Sequence, residues 1–83
     1  GSPIKRIGRD RFIRNCCIAA GNSKNEKLVP SLINLLMNDN SSLVRGAAVW
    51  SVQQIGNKQI LLKTKMQHLN FEKERSVIDE WYT

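Results

Sequence analysis

Part of the chain repeats itself, and nothing else in the sequence narrows the possible folds as much. Phe12-Ile13-Arg14-Asn15-Cys16-Cys17-Ile18-Ala19-Ala20-Gly21-Asn22 aligns with Leu43-Val44-Arg45-Gly46-Ala47-Ala48-Val49-Trp50 and, after one extra helical turn, with Ile55-Gly56-Asn57. The two arginines stand 31 residues apart and the two Gly-Asn pairs 35 apart, so the units differ by four residues and keep the same helical face. Self-similarity at such a period marks units that bury their apolar sides only by stacking on one another. No run alternates apolar and polar residues between turn signals, so the units read as helices.

In the first unit Phe12, Ile13, Cys16, Cys17 and Ala20 form an apolar stripe, with Arg11 and Arg14 off it. Gly21 suits a left-handed helix end, and Ser23 followed by Glu26 offers a capping box for a second helix from about residue 26 to Met37. Pro30 fits in its first turn, where the missing N–H is not needed, and Leu28, Val29, Leu32, Ile33, Leu35 and Leu36 point inward. The oxygen-rich turn Asn38-Asp39-Asn40-Ser41-Ser42 ends that helix and caps a third, whose inner face is Val44, Ala47, Ala48, Val52 and Ile55. A fourth helix carries Ile60, Leu61, Leu62, Met66 and Leu69, and a fifth, from about Glu72 to Trp81, carries Val77, Ile78 and Trp81. The expected class is all-α: about five antiparallel helices stacked as α-α hairpins in a superhelix.

A chain of 83 residues is one small domain. It has no apolar run of roughly 18 residues for a membrane span and no signal-peptide core, so a cytoplasmic address and no membrane partner are expected. Adjacent Cys16 and Cys17 point about 100° apart on a helix and cannot grip one metal ion, so both read as small core residues. His68 has no partner in sequence that makes it a base or ligand and reads as surface or satisfied core. With no paired carboxylates, phosphate loop or Cys/His arrangement, catalytic residues and metal ligands are expected to be none.

The net charge of +6 is uneven, because Lys5, Arg6, Arg9, Arg11 and Arg14 face only Asp10 over the first 14 residues, whereas residues 69–83 are net acidic. A basic head of this kind suits a polyanion, although basic runs are often only solvated faces.

Leu28-Val29-Pro30, then Asp39, then Leu43-Val44-Arg45-Gly46-Ala47-Ala48 resembles the HEAT-repeat pattern, in which a turn aspartate precedes a Val-Arg pair opening the next helix. More narrowly, Gly1-Ser2-Pro3-Ile4-Lys5-Arg6-Ile7-Gly8-Arg9 leading into Phe12-Ile13-Arg14-Asn15 and Ala20-Gly21-Asn22-Ser23 resembles the C-terminal region of bacterial epoxyqueuosine reductases. The likeness covers residues 1–57 well and the rest loosely. Family members often carry an acidic residue and proline where Asn25 and Glu26 stand here.

The resemblance implies a parent enzyme that reduces epoxyqueuosine to queuosine in tRNA with cobalamin and two [4Fe–4S] clusters. No cofactor is expected in this chain, which lacks the cysteine runs such clusters need. Residues 1–8 then read as a linker from an upstream reductase domain and 9–83 as a HEAT-like repeat domain that helps hold tRNA. Gly1-Ser2 fits either a cloning remnant or the family pattern. Candidate nucleic-acid-binding residues are Lys5, Arg6, Arg9, Arg11, Arg14, Arg45, Lys24 and Lys58, with arginine and lysine expected to meet phosphates. Arg14 and Arg45 have a competing structural reading, pairing with the turn Asp39 or with helix ends. Trp50 and Trp81 read as core rather than as base-stacking platforms. Two alternatives to tRNA binding stay open: a protein-interaction module, or a structural cap on a larger protein.

Overall fold

A computed structural model of the chain describes residues 3–83, with side chains from residue 7 onward. Five α-helices follow one another: α1 (Pro3–Ser23), α2 (Val29–Asn38), α3 (Ser42–Ile55), α4 (Lys58–Leu69) and α5 (Arg75–Glu80), with a 3-10 turn at Glu26–Leu28 leading into α2. No strand occurs among the described residues. The segment read as a linker, 1–8, is helical from Pro3 on and continuous with α1.

The end of α1 is built differently from its sequence reading. Gly21 does not close the helix: it stays helical and buried, and Lys24 takes the left-handed conformation, with φ 57°. Ser23 does not form a box with Glu26. Its hydroxyl donates to the Ala20 carbonyl at 2.6 Å and accepts from the Asn25 N–H at 3.3 Å, while the Asn25 side chain caps the 3-10 turn by accepting from the Lys27 N–H at 3.1 Å. The later caps follow chemistry already visible in sequence, since Ser41 accepts from the Val44 N–H and Asn57 from the Ile60 N–H.

Helix α3 is the hub, packed against α1, α2 and α5, and the side-chain links at its two ends fix the directions. Arg9 on α1 reaches Asp39 just before α3 begins, while Lys24 reaches the Gln54 carbonyl at the far end of α3, so α1 and α3 are parallel. Arg45 meets Glu72, and Gln53 meets the Trp81 carbonyl, which sets α5 in the same direction. Helices α2 and α4 run the other way and touch each other. The result is two layers of stacked hairpins measuring 40 × 28 × 20 Å.

The core joins Cys17, Leu32, Leu36, Ala48, Val49, Val52, Val77 and Trp81. Because α3 is covered on several sides it buries Val49 and Ser51 as well as the expected Val44, Ala48 and Val52. Two expectations are corrected. Helix α1 is an end helix, so its stripe splits: Cys17 is 1% exposed, but Phe12 is 66% exposed and Cys16 is also exposed. Helix α4 buries Thr64 and His68 and leaves Leu62 and Met66 on the surface.

Gly21 matters for a reason other than turning. A Cβ there would lie 2.7 Å from Trp50 Cζ3 and 3.1 Å from Ser51 Cα, so glycine lets α1 approach α3 closely. Gly21→Ala is expected to lower stability, because overpacking costs about 1–3 kcal/mol and outweighs the gain of about 1 kcal/mol in helix propensity. Gly8→Ala, with nothing within 4 Å of the added carbon, should be neutral or stabilising. Urea unfolding of the two variants checks this, and equal midpoints would mean that close helix approach is not what Gly21 provides.

Candidate nucleic-acid interface

The eight candidate cations do not converge. Lys5 and Arg6 lie outside the described side chains. Lys24 and Lys58 sit where α1 and α3 end: the Lys24 ammonium donates to the Gln54 carbonyl at 3.4 Å, one of the acceptors left open at a helix C-terminus, and Lys58 opens α4. Arg9 is about 22 Å from Lys24 along α1 at 1.5 Å per residue.

Arg9 and Arg45 are engaged by carboxylates. Arg9 forms a two-pronged contact with Asp39, Nη2 to Oδ1 at 2.6 Å and Nη1 to Oδ2 at 3.1 Å, and a further bond to Asp10 at 3.0 Å. These bonds raise the Arg9 pKa, and the same Arg9 bond holds the Asp39 carboxyl below its usual range. Arg45 grips Glu72 with Nε at 2.7 Å and Nη2 at 3.1 Å, and its Nη1 donates to the Asp39 backbone carbonyl at 2.9 Å. Asp39 therefore does meet Arg45, through its carbonyl, because its carboxylate is already taken by Arg9.

Glu72 is the centre of a larger polar network that the sequence reading did not contain. The Trp81 indole N–H, which only donates, points at His68 Nδ1 at 2.9 Å, so Nδ1 accepts and Nε2 carries the proton. That Nε2–H donates to Glu72 Oε1 at 2.8 Å, and the Glu74 backbone N–H donates to Oε2 at 3.1 Å. Burial works to raise the Glu72 pKa, but the bonds from Arg45, the Glu74 N–H and His68 prevail and hold it at about 2. His68 is thus a satisfied core histidine. The one sequence signal for it was the four-residue spacing of His68 and Glu72; Trp81, 13 residues from His68, gave none.

Arg11 and Arg14 are different. Both are exposed, three residues apart on α1, with no ion-pair partner among the described residues. Arg14 also lines a groove of about 400 Å³ between α1, α3 and α5, together with Trp50 and Glu80. Trp50, read as core, is half-buried and forms part of this groove.

Cys16 and Cys17 are both free, and burial pushes the Cys17 thiol up to about 11, far from the thiolate that reacts or binds metal. Among the described residues no group of three or more His, Cys, Asp or Glu is placed to hold a metal ion, and no helix is long and apolar enough to cross a membrane.

Comparison with known proteins agrees with this geometry. Residues 28–59, which cover α2, the Asp39 turn and α3, match the HEAT repeat family. The chain is 30% identical over 73 residues to an uncharacterized protein encoded in the gldA 3' region of Geobacillus stearothermophilus, covering 88% of this chain and 33% of that protein. It is 36% identical over 56 residues to an epoxyqueuosine reductase of Xanthomonas campestris pv. campestris, covering 68% of this chain and 16% of that protein. The chain thus spans a third or less of the length of these relatives. No solved structure shows a significant match. The fold and the match at residues 28–59 together establish an all-α, HEAT-like stack of helical hairpins.

Proposed function

We propose that the chain is a non-catalytic, tRNA-holding module of an epoxyqueuosine reductase-type protein, acting beside a reductase domain of the same polypeptide that would carry the cobalamin and iron–sulfur clusters. The observation that carries this reading is the similarity to the Xanthomonas protein of that name. Support comes from the net charge of +6 and from Arg11 and Arg14, two exposed cations one helical turn apart with no ion-pair partner among the described residues. Arg9 and Arg45 serve the fold first, since each is committed to a carboxylate.

Titration of labelled tRNA by fluorescence anisotropy tests the reading. Affinity should fall with salt by about 0.7–0.9 log units per log unit for each phosphate contacted. Arg11→Glu with Arg14→Glu should weaken binding at least tenfold and flatten the salt slope, leaving the thermal midpoint nearly unchanged because both side chains are exposed. Equal binding of tRNA and an acidic protein at low salt would sink the proposal.

A protein-binding role is the second reading, favoured by one further observation. Cys16 and Ala19 on α1 join Leu28 and Leu35 around an open, mostly apolar groove of about 450 Å³. HEAT-like stacks offer such surfaces to extended partners. Partner binding that survives reversal of Arg11 and Arg14 would point this way instead.

A further inference from the structure

We infer that the groove between α1, α3 and α5 captures one unstacked base of a single-stranded RNA segment, a proposal that rests on the RNA-binding reading and adds a base-contacting site to it. The groove brings together what a nucleotide needs. Arg14 stands on the α1 wall without an ion-pair partner among the described residues, Trp50 offers a half-buried aromatic ring, Ile18 and Leu43 supply apolar sides, and Glu80 on α5 supplies an acceptor for base N–H groups. Its volume of about 400 Å³ exceeds that of a nucleobase. Arg11, one turn before Arg14 on the same exposed side of α1, extends the track for the backbone. Aromatic stacking combined with flanking arginines is how sequence-tolerant single-strand binding is commonly built.

Gly46 supplies the independent observation. It lies inside α3, where glycine costs about 1 kcal/mol relative to alanine. Its backbone φ is not positive, and a Cβ added there would meet nothing within 4 Å, so neither a turn nor helix packing requires it. Gly46 lines the groove together with Arg14 and Trp50, and the absence of a side chain there leaves the space open. The contrast with Gly21, which is pressed against Trp50 and Ser51, is direct.

The test uses the full chain, a mixed-sequence single-stranded heptaribonucleotide, and the same oligomer with its central base removed. Base capture should quench Trp50 fluorescence, and the intact oligomer should bind about tenfold more tightly than the abasic one. Trp50→Phe should abolish the quench. Gly46→Leu should fill the groove and remove the preference for the intact oligomer while leaving the thermal midpoint equal or higher. If the wild type binds tRNA but treats intact and abasic oligomers alike, or if Gly46→Leu keeps the preference, base capture is overturned and phosphate binding stands. If the wild type binds neither tRNA nor oligomer, the underlying RNA-binding reading fails as well.

Discussion

Replacing Glu72 by alanine is expected to cost about 3–5 kcal/mol, the largest effect of any single surface-to-core carboxylate removal in this chain. The Glu72 side chain is 4% exposed and Arg45 is 18% exposed, so neither charge is well hydrated in the fold. Removing the carboxylate leaves the Arg45 guanidinium with only the Asp39 carbonyl, and it strips His68 Nε2–H of its acceptor at a site with 0% exposure. A buried donor without an acceptor adds its own penalty of about 1–3 kcal/mol. For a domain of this size each kcal/mol moves the thermal midpoint by about 4–8 °C, so the loss should fall within about 12–40 °C. Melting followed by far-ultraviolet circular dichroism measures it. Glu74→Ala, which removes the same charge from an exposed neighbour, serves as the control and should change stability by no more than about 0.5 kcal/mol. Equal midpoints for the two variants would show that the network does not hold α3, α4 and α5 together.

The network explains why a helix as polar as α4 belongs to the fold at all. Read by hydropathy alone, Ile60, Leu61, Leu62, Met66 and Leu69 are the obvious inner face. Leu61 and Leu69 do pack against the core, but the fully buried positions of the helix are Thr64 and His68, because His68 can be fully satisfied there by the Trp81 indole and Glu72. Leu62 and Met66 are left 62% and 70% exposed as a consequence. Periodicity cannot reveal a buried polar residue whose partners come from two later elements, Glu72 in the turn after α4 and Trp81 at the end of α5.

Elsewhere the repeat carried the fold well. Cys17 and Ala48, equivalent in the alignment, are both buried in the core, and the Arg45-containing unit falls within the residues that match the HEAT repeat family. The same equivalence misleads about Arg14 and Arg45. Arg45 is held between the Asp39 carbonyl and Glu72, while Arg14 stands open on the groove. Which arginine takes the Asp39 carboxylate depends on how α1 lies across the turn between α2 and α3. That is a tertiary fact, and it gave the place to Arg9. The candidate site shifted for the same reason: a list of cations in sequence order became two exposed arginines, one of which, Arg14, lines a groove with a tryptophan that had read as core.

Acid should unfold the protein through the same carboxylates. Glu72 titrates at about 2 in the fold against an ordinary value of 4.5, and Asp39 is also held low, by Arg9. A depressed carboxylate means that the unfolded chain binds the proton more readily, so stability rises with pH across the interval between the two values. The contribution is complete above about pH 4.5 and disappears as pH falls toward 2. With about 1.4 kcal/mol per pKa unit, Glu72 alone should account for a loss on the order of 3 kcal/mol across this interval. Urea midpoints measured from about pH 6 down to about pH 2.5 should fall steeply below pH 4.5 in the wild type. In Glu72→Gln, which cannot titrate, the fall should be much shallower from a lower starting point. If wild type and variant lost stability in parallel as the solution was acidified, the proton would be entering elsewhere, and the bond between Arg45 and Glu72 would not be the acid-sensitive joint of the stack.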